Sequence, residues 1–478
     1  MANTADDILQ IEPDAAERVR ELCGENAYLC YQCRKCTAGC PLSDLMDLAP
    51  NQVVRAIQLG QMDTVLNSKT LWLCASCQTC VTRCPHGVDL PRIMDALRAA
   101  ALAAGVKPKV PSVADFNRVA ARDIKLMGRL YEAGLMAELN LRSGQPFRDM
   151  RLAWELFRRG KLKIIPQVAR GKVKRAEGPR PAADEVAYYP GCSSHGTARE
   201  FDMSARVAAE LVGLKLVEPE GWVCCGSSAA HATSHLLATA LPMRNLTLIE
   251  AAGYARVTTP CASCFSRLKA AVHDVGRDGE LKRAVEAEIG EPYSGSVEVE
   301  HLVDTFADAV GYDRVQQAAK KPLAGLKVVC YYGCLLTRPR EVTGAEHVEY
   351  PMKMDYLLRA AGAETLDWSY KTECCGSSLA LSETEVALRL SERVLANAVA
   401  VGAEAIVVAC PLCQSNLDAR QRQINARLGK DYRLPVMYFT QALGLAFGAE
   451  PRQLGLDKLI VSADEVLAAK GIVSLAAS

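Results

Sequence analysis

Apolar side chains recur at helical spacing through the first 160 residues of the chain. Val53 and Ile57 lie one helical turn apart, and Pro50 stands at a position suited to a first turn. The segment 89–105 has the same period, with a proline near its start and a glycine at its end. The sequence therefore predicts a helical N-terminal domain that ends in a helical arm, over residues 1–165.

The pattern changes beyond residue 185. Short β-branched or aromatic runs such as "EVAYYPGC" and "YARVTTPCASC" alternate with helical stretches such as "ATSHLLATALPMRNLTLIEAAG". Alternating strands and helices predict a parallel sheet, and ligands gather at the carboxyl ends of the strands in such a sheet. We therefore expect residues that directly follow these strands to share a site.

The C-terminal part of the chain repeats itself after about 150 residues. The segments "VAYYPGC", "WVCCGSS" and "TPCASC" correspond to the later "VVCYYGC", "TECCGSS" and "ACPLC". The sequence thus predicts an α+α/β protein with a helical domain and two pseudo-repeated α/β domains with parallel sheets. The predicted boundaries are 166–185 for a linker, 186–322 for the first copy, 323–450 for the second copy and 451–478 for a C-terminal tail.

The composition indicates that the function depends on a local site and not on the charge of the whole chain. Lys and Arg number 56 against 55 Asp and Glu, so no charge over the whole chain indicates a nucleic-acid partner. The acidic start has no apolar signal segment, and we find no long uncharged apolar run, so we expect a cytoplasmic protein that is not integral to a membrane. Thiols stay reduced in that compartment, so the 20 cysteines are expected to be metal ligands or redox groups.

Two cysteine runs in the first hundred residues have the spacing of bacterial ferredoxins. "CYQCRKCTAGCP" and "CASCQTCVTRCP" both read C-x2-C-x2-C-x3-C-P. In such pairs, three thiolates hold one [4Fe–4S] cube and the fourth binds the other cluster. A zinc site is the alternative, but zinc leaves the paired spacing unexplained. The predicted ligands are Cys30, Cys33, Cys36 and Cys84 for the first cube, and Cys74, Cys77, Cys80 and Cys40 for the second.

Each α/β copy carries five more cysteines on three predicted loops. Five soft ligands are too many for one zinc ion or one cube, whereas adjacent cysteines can bridge neighbouring irons of an open cluster. Buried structural cysteines are the alternative. We call these groups the first CCG set and the second CCG set. Their members are Cys192, Cys224, Cys225, Cys261 and Cys264 in the first, and Cys334, Cys374, Cys375, Cys410 and Cys413 in the second.

These patterns resemble a known enzyme family. The spacing C-x31-CC-x35-C-x2-C, and C-x39-CC-x34-C-x2-C in the second copy, resembles the tandem CCG domains of the B-type subunit of heterodisulfide reductase. "CYQCRKCTAGCP" and "LWLCASCQTCVTRCPHGV" resemble the C-type subunit of the same enzyme, as in a fusion of the two. The resemblance implies that each CCG set holds a noncubane four-iron cluster, and that the two clusters face each other across a disulfide substrate.

The implied function is that of a catalytic iron–sulfur subunit. Electrons from a flavin protein that carries FAD and resembles the A-type subunit of that enzyme would pass through two [4Fe–4S] cubes to the two noncubane clusters, which cleave a disulfide such as CoM-S-S-CoB to two thiols. The flavin subunit would in turn receive its electrons from a hydrogenase, a formate dehydrogenase, ferredoxin or another donor. The chain has no dinucleotide fingerprint of its own, so flavin chemistry must come from a partner.

Two other functions remain open. The chain would be an electron-transfer subunit of another low-potential complex, resembling class II benzoyl-CoA reductase, fumarate reductase or lactate and glycolate dehydrogenases. Alternatively it would be a metal-binding interaction protein without enzymatic activity. Two complete CCG sets favour the disulfide-cleaving function.

Six further residues are candidates for supporting roles, and no catalytic side chain is assigned. His195, His231, His235 and Lys371 lie near the CCG loops and suit proton donation or anion binding, although packing or surface roles are the simpler interpretation. Cys23 and Cys330 are left outside the four groups, and Cys330 is expected to be buried on a strand.

Overall fold

The computed structural model describes residues 11–169, 181–182, 184–227 and 229–474. The predicted fold class is confirmed, because a helical N-terminal part precedes two α/β units with parallel sheets. Most of the predicted linker lies outside the described residues, and the domain boundaries stay predictions. The N-terminal helices are α1 (Ala15–Cys23), α2 (Lys35–Gly39), α3 (Pro50–Gln58), α4 (Met62–Leu66), α5 (Thr70–Leu73), α6 (Thr79–Thr82), α7 (Leu90–Ala103), α8 (Pro111–Met127), α9 (Glu132–Arg142) and α10 (Met150–Arg158).

Local sequence signals explain where these helices begin. Pro50 occupies the first turn of α3, and its fixed φ suits that position. The Asp89 side chain accepts a hydrogen bond of 2.9 Å from the Arg92 N–H and so caps α7. Val53 and Ile57 are buried on one face of α3, so the periodicity seen in the sequence does mark the core face.

The first α/β unit forms a four-stranded parallel sheet in the order β2-β1-β3-β4. Its register places Ala187 opposite both Val217 and Val257. The elements are β1 (Glu185–Tyr188), α11 (Arg199–Leu211), β2 (Lys215–Val217), α12 (His235–Ala251), β3 (Arg256–Thr259), α13 (Ala262–Arg277), α14 (Gly279–Ile289), β4 (Glu298–His301), α15 (Leu302–Asp304), a π-helical turn (Thr305–Val310) and α16 (Tyr312–Ala318).

The second unit repeats this topology, with the order β6-β5-β7-β8 and all strands parallel. Shared strand order confirms the internal repeat. The elements are β5 (Lys327–Tyr331), α17 (Arg340–Thr343), α18 (Lys353–Ala360), β6 (Glu364–Thr365), α19 (Thr384–Ala400), β7 (Ala405–Val408), α20 (Pro411–Ala419), α21 (Gln421–Leu428), β8 (Val436–Tyr438), α22 (Phe439–Ala446) and α23 (Asp464–Ala469). Short 3-10 turns lie at Ala27–Leu29, Cys192–His195, Ser377–Leu379 and Leu456–Lys458.

The two α/β units share one hydrophobic core. The Phe201 ring on α11 stacks on Tyr438 of β8 at a centroid distance of 3.9 Å and meets Phe439 edge-on. Next to this stack, the hydroxyls of Ser204 and Thr440 are 2.7 Å apart in a buried hydrogen bond. Aromatic packing across the units therefore fixes the position of one sheet relative to the other.

The helical arm packs across both units. Val119 of α8 and Leu135 of α9 are buried in a cluster with Ala229 of the first unit, and Leu381 of the second unit packs against that cluster. After α10, the Lys161 ammonium forms a fully buried ion pair of 2.5 Å with Glu200 on α11. Through these contacts the arm packs against both α/β units.

No helix among the described residues combines the length and the apolar character that crossing a membrane requires.

We expect Phe201→Ala to lower the free energy of unfolding by about 3–5 kcal/mol, because it leaves a cavity in the core that joins the two units. Chemical denaturation of the anaerobically purified chain measures this change. Phe157→Ala is the matched control: the ring is 43% exposed, so its loss should cost no more than about 0.5 kcal/mol. Equal destabilisation by the two substitutions would contradict the shared core.

Candidate iron–sulfur centres and the chamber between the CCG sets

The two ferredoxin-type runs fold in the same way. In the first run, Gln32 and Arg34 have positive φ values of 66° and 65°, and in the second run Ser76 and Gln78 have 49° and 62°. These residues occupy equivalent positions between the first three cysteines of each run. Such backbone is unfavourable for residues other than glycine and persists where the surroundings demand it. In each run the third thiol lies near the first two, since their charges act on its pKa.

The fourth cysteine of the first run, Cys40, lies near cysteines of both runs. Burial, followed by repulsion from the Cys77 and Cys74 thiols, raises the pKa of Cys40 to about 12. Desolvation raises the pKa of the Tyr31 hydroxyl, and the charges of the Cys33 and Cys84 thiolates raise it further. Because Tyr31 belongs to the first run, this effect places Cys84 near that run. The Tyr31 ring also meets His86 edge-on at 4.7 Å.

The first CCG set is assembled by the carboxyl ends of three strands. Cys192 follows β1, the adjacent pair follows the loop after β2, and the remaining two cysteines follow β3. All five thiols line one cavity of about 220 Å³, which we call the first-set cavity. Within it, the Cys225 and Cys264 sulfurs are 3.3 Å apart.

The second CCG set has the same construction on β5, β6 and β7. All five of its thiols line a smaller cavity of about 80 Å³, which we call the second-set cavity. The Cys375 and Cys413 sulfurs are 3.7 Å apart.

Glycines at equivalent positions confine both sets. An added Cβ at Gly191 or Gly333 would lie only 3.0 or 3.1 Å from a cysteine sulfur. These glycines have positive φ, so a side chain there would be strained as well as crowded. The backbone therefore approaches the thiols more closely than any other residue type would allow.

Equivalent tyrosines hold the loops that carry the cysteine pairs. The Tyr189 hydroxyl donates a hydrogen bond of 2.8 Å to the Val223 carbonyl, and the Tyr331 hydroxyl donates one of 2.6 Å to the Glu373 carbonyl. Val223 and Glu373 each stand directly before the adjacent cysteines. The two copies therefore have equivalent thiols and equivalent tyrosine hydrogen bonds that hold the loops carrying them.

Hydrogen bonds between thiols favour the thiolate of one cysteine and the protonated thiol of its partner, as they raise the pKa of Cys264 and Cys413 well above its usual value. Bonds from Cys224 and then Cys264 lower the pKa of Cys225 well below its usual value, and a bond from Cys413 lowers that of Cys375. Thiolates are the form that binds metal. Cys225 and Cys375 thus give each set a thiol that favours the form a cationic cluster binds.

The two CCG sets meet each other. The Cys261 thiol of the first set is a hydrogen-bonding neighbour of Cys410 in the second, and this bond lowers the pKa of Cys410. Six side chains line both cavities, and we call them the junction. They are Phe116, Ser227, Ser263, Ser377, Ser378 and Leu412. The two cavities therefore form one chamber with thiols at both ends.

The second ferredoxin-type run touches the second CCG set. The Cys77 thiol is hydrogen-bonded to Cys374, a contact that raises the pKa of Cys77 well above its usual value, as does burial. Arg338, which is fully buried, donates hydrogen bonds to the Thr79 hydroxyl at 2.8 Å and the Thr372 carbonyl at 3.0 Å. This arginine fixes the run against the loop that precedes the second cysteine pair.

The helical arm closes the chamber on one side. Apolar residues of α8 to α10 and of the turn before α9 line the first-set cavity, and they are Phe116, Leu130, Leu135, Met136, Leu152 and Leu156. Glu132 anchors the arm, because its carboxylate accepts hydrogen bonds from the Thr197 N–H at 2.9 Å and the Thr197 hydroxyl at 2.8 Å. The chamber is consequently screened from water by the N-terminal part of the chain.

Several candidates from the sequence have structural roles. The His195 ring lies 3.0 Å from the Glu218 carboxylate. Burial raises the pKa of Glu218, but hydrogen bonds from His195 and Trp222 outweigh burial and lower that pKa to about 2. Lys371 forms a buried ion pair of 2.6 Å with Asp355.

The two cysteines outside the four predicted groups, Cys23 and Cys330, have local structural roles. Cys330 is fully buried on β5, which confirms its prediction. The Cys23 thiol donates a hydrogen bond of 3.1 Å to the Val19 carbonyl within α1. His235 lines a further cavity outside the CCG sets, and His231 lines both that cavity and the second-set cavity.

Sequence reasoning missed the residues that surround the thiols. The junction serines Ser227, Ser377 and Ser378 belong to the repeated CCGSS motif, and that repetition is the signal that could have found them. Arg267 lines the second-set cavity, but a single arginine in an amphipathic helix looks like a surface residue in the sequence.

The residues present fit multi-iron groups. Among the described residues, no three or more His, Cys, Asp or Glu side chains are arranged to hold a single metal ion. The ten CCG thiols instead line two cavities in groups of five, and a glycine lies close to a sulfur in each group. All but the first cysteine of each CCG set are buried, which suits a cluster shielded from water.

Family comparisons agree with this arrangement. Residues 29–89 match a 4Fe-4S dicluster domain, and residues 186–269 and 328–418 match the CCG cysteine-rich domain. The fold is similar to the crystal structure of a hypothetical protein from Helicobacter pylori, with a TM-score of 0.60. The superposition covers 96% of this chain and 77% of the Helicobacter pylori chain. At 11% identity that likeness shows the fold alone.

Curated relatives match the two parts of the chain separately. The 8-methylmenaquinol:fumarate reductase membrane anchor subunit of Wolinella succinogenes is 31% identical over 283 residues, which are 59% of this chain and 99% of the relative. The B-type subunit of the ferredoxin/F420H2-dependent CoB-CoM heterodisulfide reductase of Methanosarcina acetivorans is 30% identical over 59% of this chain and 96% of the relative. The C-type iron–sulfur subunit of the CoB–CoM heterodisulfide reductase of Methanopyrus kandleri is 37% identical over 98 residues, 19% of this chain and 50% of that relative.

These matches establish an iron–sulfur oxidoreductase subunit of a type found in multisubunit complexes. The B-type relatives are covered over almost their whole length, whereas the chain spans about half of the C-type relative. With a ferredoxin part of the C type and tandem CCG domains of the B type in one polypeptide, the chain belongs to the heterodisulfide reductase family.

Proposed function

We propose that the chain is the catalytic iron–sulfur subunit of a heterodisulfide reductase-like complex in the cytoplasm, and that it cleaves a disulfide to two thiols. The observation that supports this most strongly is the chamber. Two complete five-cysteine sets face each other across the junction, which suits a substrate with two sulfurs. An electron relay has no need for two such sets that share one chamber.

The proposed cofactors are two [4Fe–4S] cubes and two noncubane four-iron clusters. Cys30, Cys33, Cys36 and Cys84 would hold the first cube, and Cys74, Cys77, Cys80 and Cys40 the second. The first and second CCG sets would each hold one noncubane cluster. When bound, these groups supply single electrons and soft cationic sites for sulfur.

The reaction takes up two electrons and two protons for each disulfide. The S–S bond breaks, and two S–H bonds form. The chain's own residues hold the substrate in the chamber: the hydroxyls of Ser227 and Ser263 at the junction reach the sulfurs, and the apolar arm excludes water. A relative's name gives a disulfide of coenzymes B and M as a substrate of this class, and we propose a disulfide of that kind for this chain.

We propose that electrons enter at the first cube from a flavin subunit that carries FAD. Cys33 is exposed, and large side chains beside it are exposed as well, with Tyr28 at 63% and Tyr31 at 59%. Exposed aromatic residues are typical of protein interfaces. The second run touches the second CCG set through Cys77 and Cys374, which supports an order from the surface inward. A hydrogenase, a formate dehydrogenase, ferredoxin or another donor would supply the flavin subunit.

Electron relay in a fumarate reductase-like complex is the second candidate. It is supported by the relative from Wolinella succinogenes, which is a fumarate reductase subunit matched over nearly its whole length. In that case the chain passes electrons on without cleaving a disulfide.

Anaerobic metal analysis should find roughly sixteen irons per chain with matching sulfide, because four groups of thiols each hold four irons. Zinc as the main metal, or iron nearer to about eight, would contradict the proposed cofactors.

Two cysteine substitutions distinguish the catalyst from the relay. With the natural donor, Cys33→Ala should reduce disulfide turnover below about a tenth, while a small reductant that reaches the chamber directly restores it. Cys225→Ala should lose turnover with either donor, because it removes a thiol that lines the chamber. Cys33 is preferred to Cys77 because Cys77 touches Cys374, so its replacement would disturb the second CCG set.

Cys330→Ala is the matched control, since this buried thiol stands outside all four groups, and it should keep full turnover. Each variant is first shown by iron analysis to retain its other clusters. Disulfide reduction at the normal rate by Cys225→Ala would refute cleavage at the CCG sets and favour the relay.

A further inference from the structure

Protons must reach the chamber if the proposed function is correct. Cleaving one disulfide to two thiols consumes two protons, yet most CCG thiols are buried and the arm covers them. A buried site that takes up protons repeatedly needs titratable groups or water in between. The described part of the chain contains a cavity that meets this need.

A polar cavity of about 390 Å³ lies between α7 of the N-terminal part and α12 and α13 of the first unit. At a share of about 30 Å³ per water molecule, it has room for on the order of ten. Its titratable lining includes three histidines and three aspartates, which are His231, His235, His273, Asp89, Asp95 and Asp274. Alanines and other apolar residues complete the lining, and the titratable side chains among them offer hydrogen-bonding partners to water in the cavity.

The outer end of this polar cavity is open to solvent. The His235 side chain is 46% exposed, and its Nε2 lies 3.7 Å from Asp274 and 3.4 Å from an Arg92 guanidinium nitrogen. His273 approaches the same carboxylate at 3.3 Å. Protons from bulk water can therefore exchange with groups at the mouth.

The inner end borders the second-set cavity. His231 and Arg267 are the two residues that line both, among the described ones. His231 is only 11% exposed, and its Nδ1 lies 2.8 Å from an Asp95 carboxylate oxygen. The other ring nitrogen, Nε2, makes no hydrogen bond to the described residues. Asp95 thus holds the Nδ1 atom of His231, while its Nε2 atom remains able to carry a proton.

We propose that the polar cavity is the proton route to the chamber, with His231 as its last proton donor. In the step that forms each thiol, the His231 Nε2–H bond breaks and its proton forms an S–H bond with the substrate sulfur, while the electrons come from the donor subunit. His231 becomes the neutral tautomer with its proton on Nδ1, and cavity water then restores the Nε2 proton. Two such transfers balance the cleavage of one disulfide.

Asp95 is a positioning residue for this step. Its carboxylate accepts the Nδ1 proton and so selects the tautomer whose Nε2 is free. Arg98, on the same helix, pairs with Asp95 at 2.8 Å and donates to the Cys74 carbonyl at 2.7 Å, which ties the pair to the second ferredoxin-type run. The charged groups that face His231 are accordingly Asp95 and Arg98 from α7 and Arg267 from α13.

These groups set the pH dependence. Burial lowers the pKa of His231, Asp95 raises it, and Arg267 and Arg98 lower it further. Removing the carboxylate with Asp95→Asn takes away the raising contribution. The alkaline limb of the turnover profile should then move to lower pH, whereas a merely structural role for Asp95 would lower turnover equally at every pH.

The first test uses the assembled complex with its disulfide. His231→Gln keeps a side-chain N–H for Asp95 but carries no transferable proton, so turnover should fall roughly 100-fold with iron content unchanged. Added imidazole should restore part of it. His347→Gln makes the same change at an exposed histidine, whose side chain is 69% exposed, and should have no effect. Full turnover by His231→Gln, or a loss that imidazole leaves unchanged, would overturn the route.

The second test needs no turnover. Deuterium exchange at the imidazole Cε1 position, read by mass spectrometry on the resting protein, reports whether water reaches a histidine. His231 should exchange faster than the fully buried His301, and Ala99→Phe, which fills the polar cavity, should slow it. Exchange of His231 as slow as that of His301 would overturn the route. Failure of the unaltered complex to make any thiol would instead contradict the proposed function.

Discussion

The placement of thiols at the carboxyl ends of parallel strands is the constraint on which the rest of the structure depends. A parallel sheet brings distant loops to one edge, so cysteines far apart in sequence meet without any dedicated scaffold. The Phe201–Tyr438 stack then holds two such edges against each other. Contact between Cys261 and Cys410 is the direct result, and it turns two separate cysteine sets into one chamber.

The N-terminal part contributes more than a pair of ferredoxin-type runs. Arg338 and Thr79 lock the second run against the second CCG set, and the arm supplies the apolar wall of the first-set cavity. Fusion of the two parts in one chain keeps the ferredoxin part, the arm and the chamber in fixed relation. A separate ferredoxin protein would have to re-form these contacts each time it associated.

Much of this architecture could be predicted from the sequence, because each feature has a local signal. Cysteine spacing indicated the four groups, and the repeat indicated two parallel sheets. The strands β4 and β8 escaped notice: one carries Glu298 and Glu300 within four residues, and the other has only three residues. Contacts such as those between Cys77 and Cys374 depend on how whole units pack, which no local pattern encodes. The polar cavity has the same origin, since His231 and Asp95 come from different units.

Iron-edge anomalous diffraction from crystals of the anaerobically prepared protein tests the central claim most directly. The account predicts iron signal in both the first-set and second-set cavities, bounded by their five cysteines, in addition to two signals at the ferredoxin-type runs. Iron confined to the ferredoxin-type runs, with none in the two CCG cavities, would contradict it.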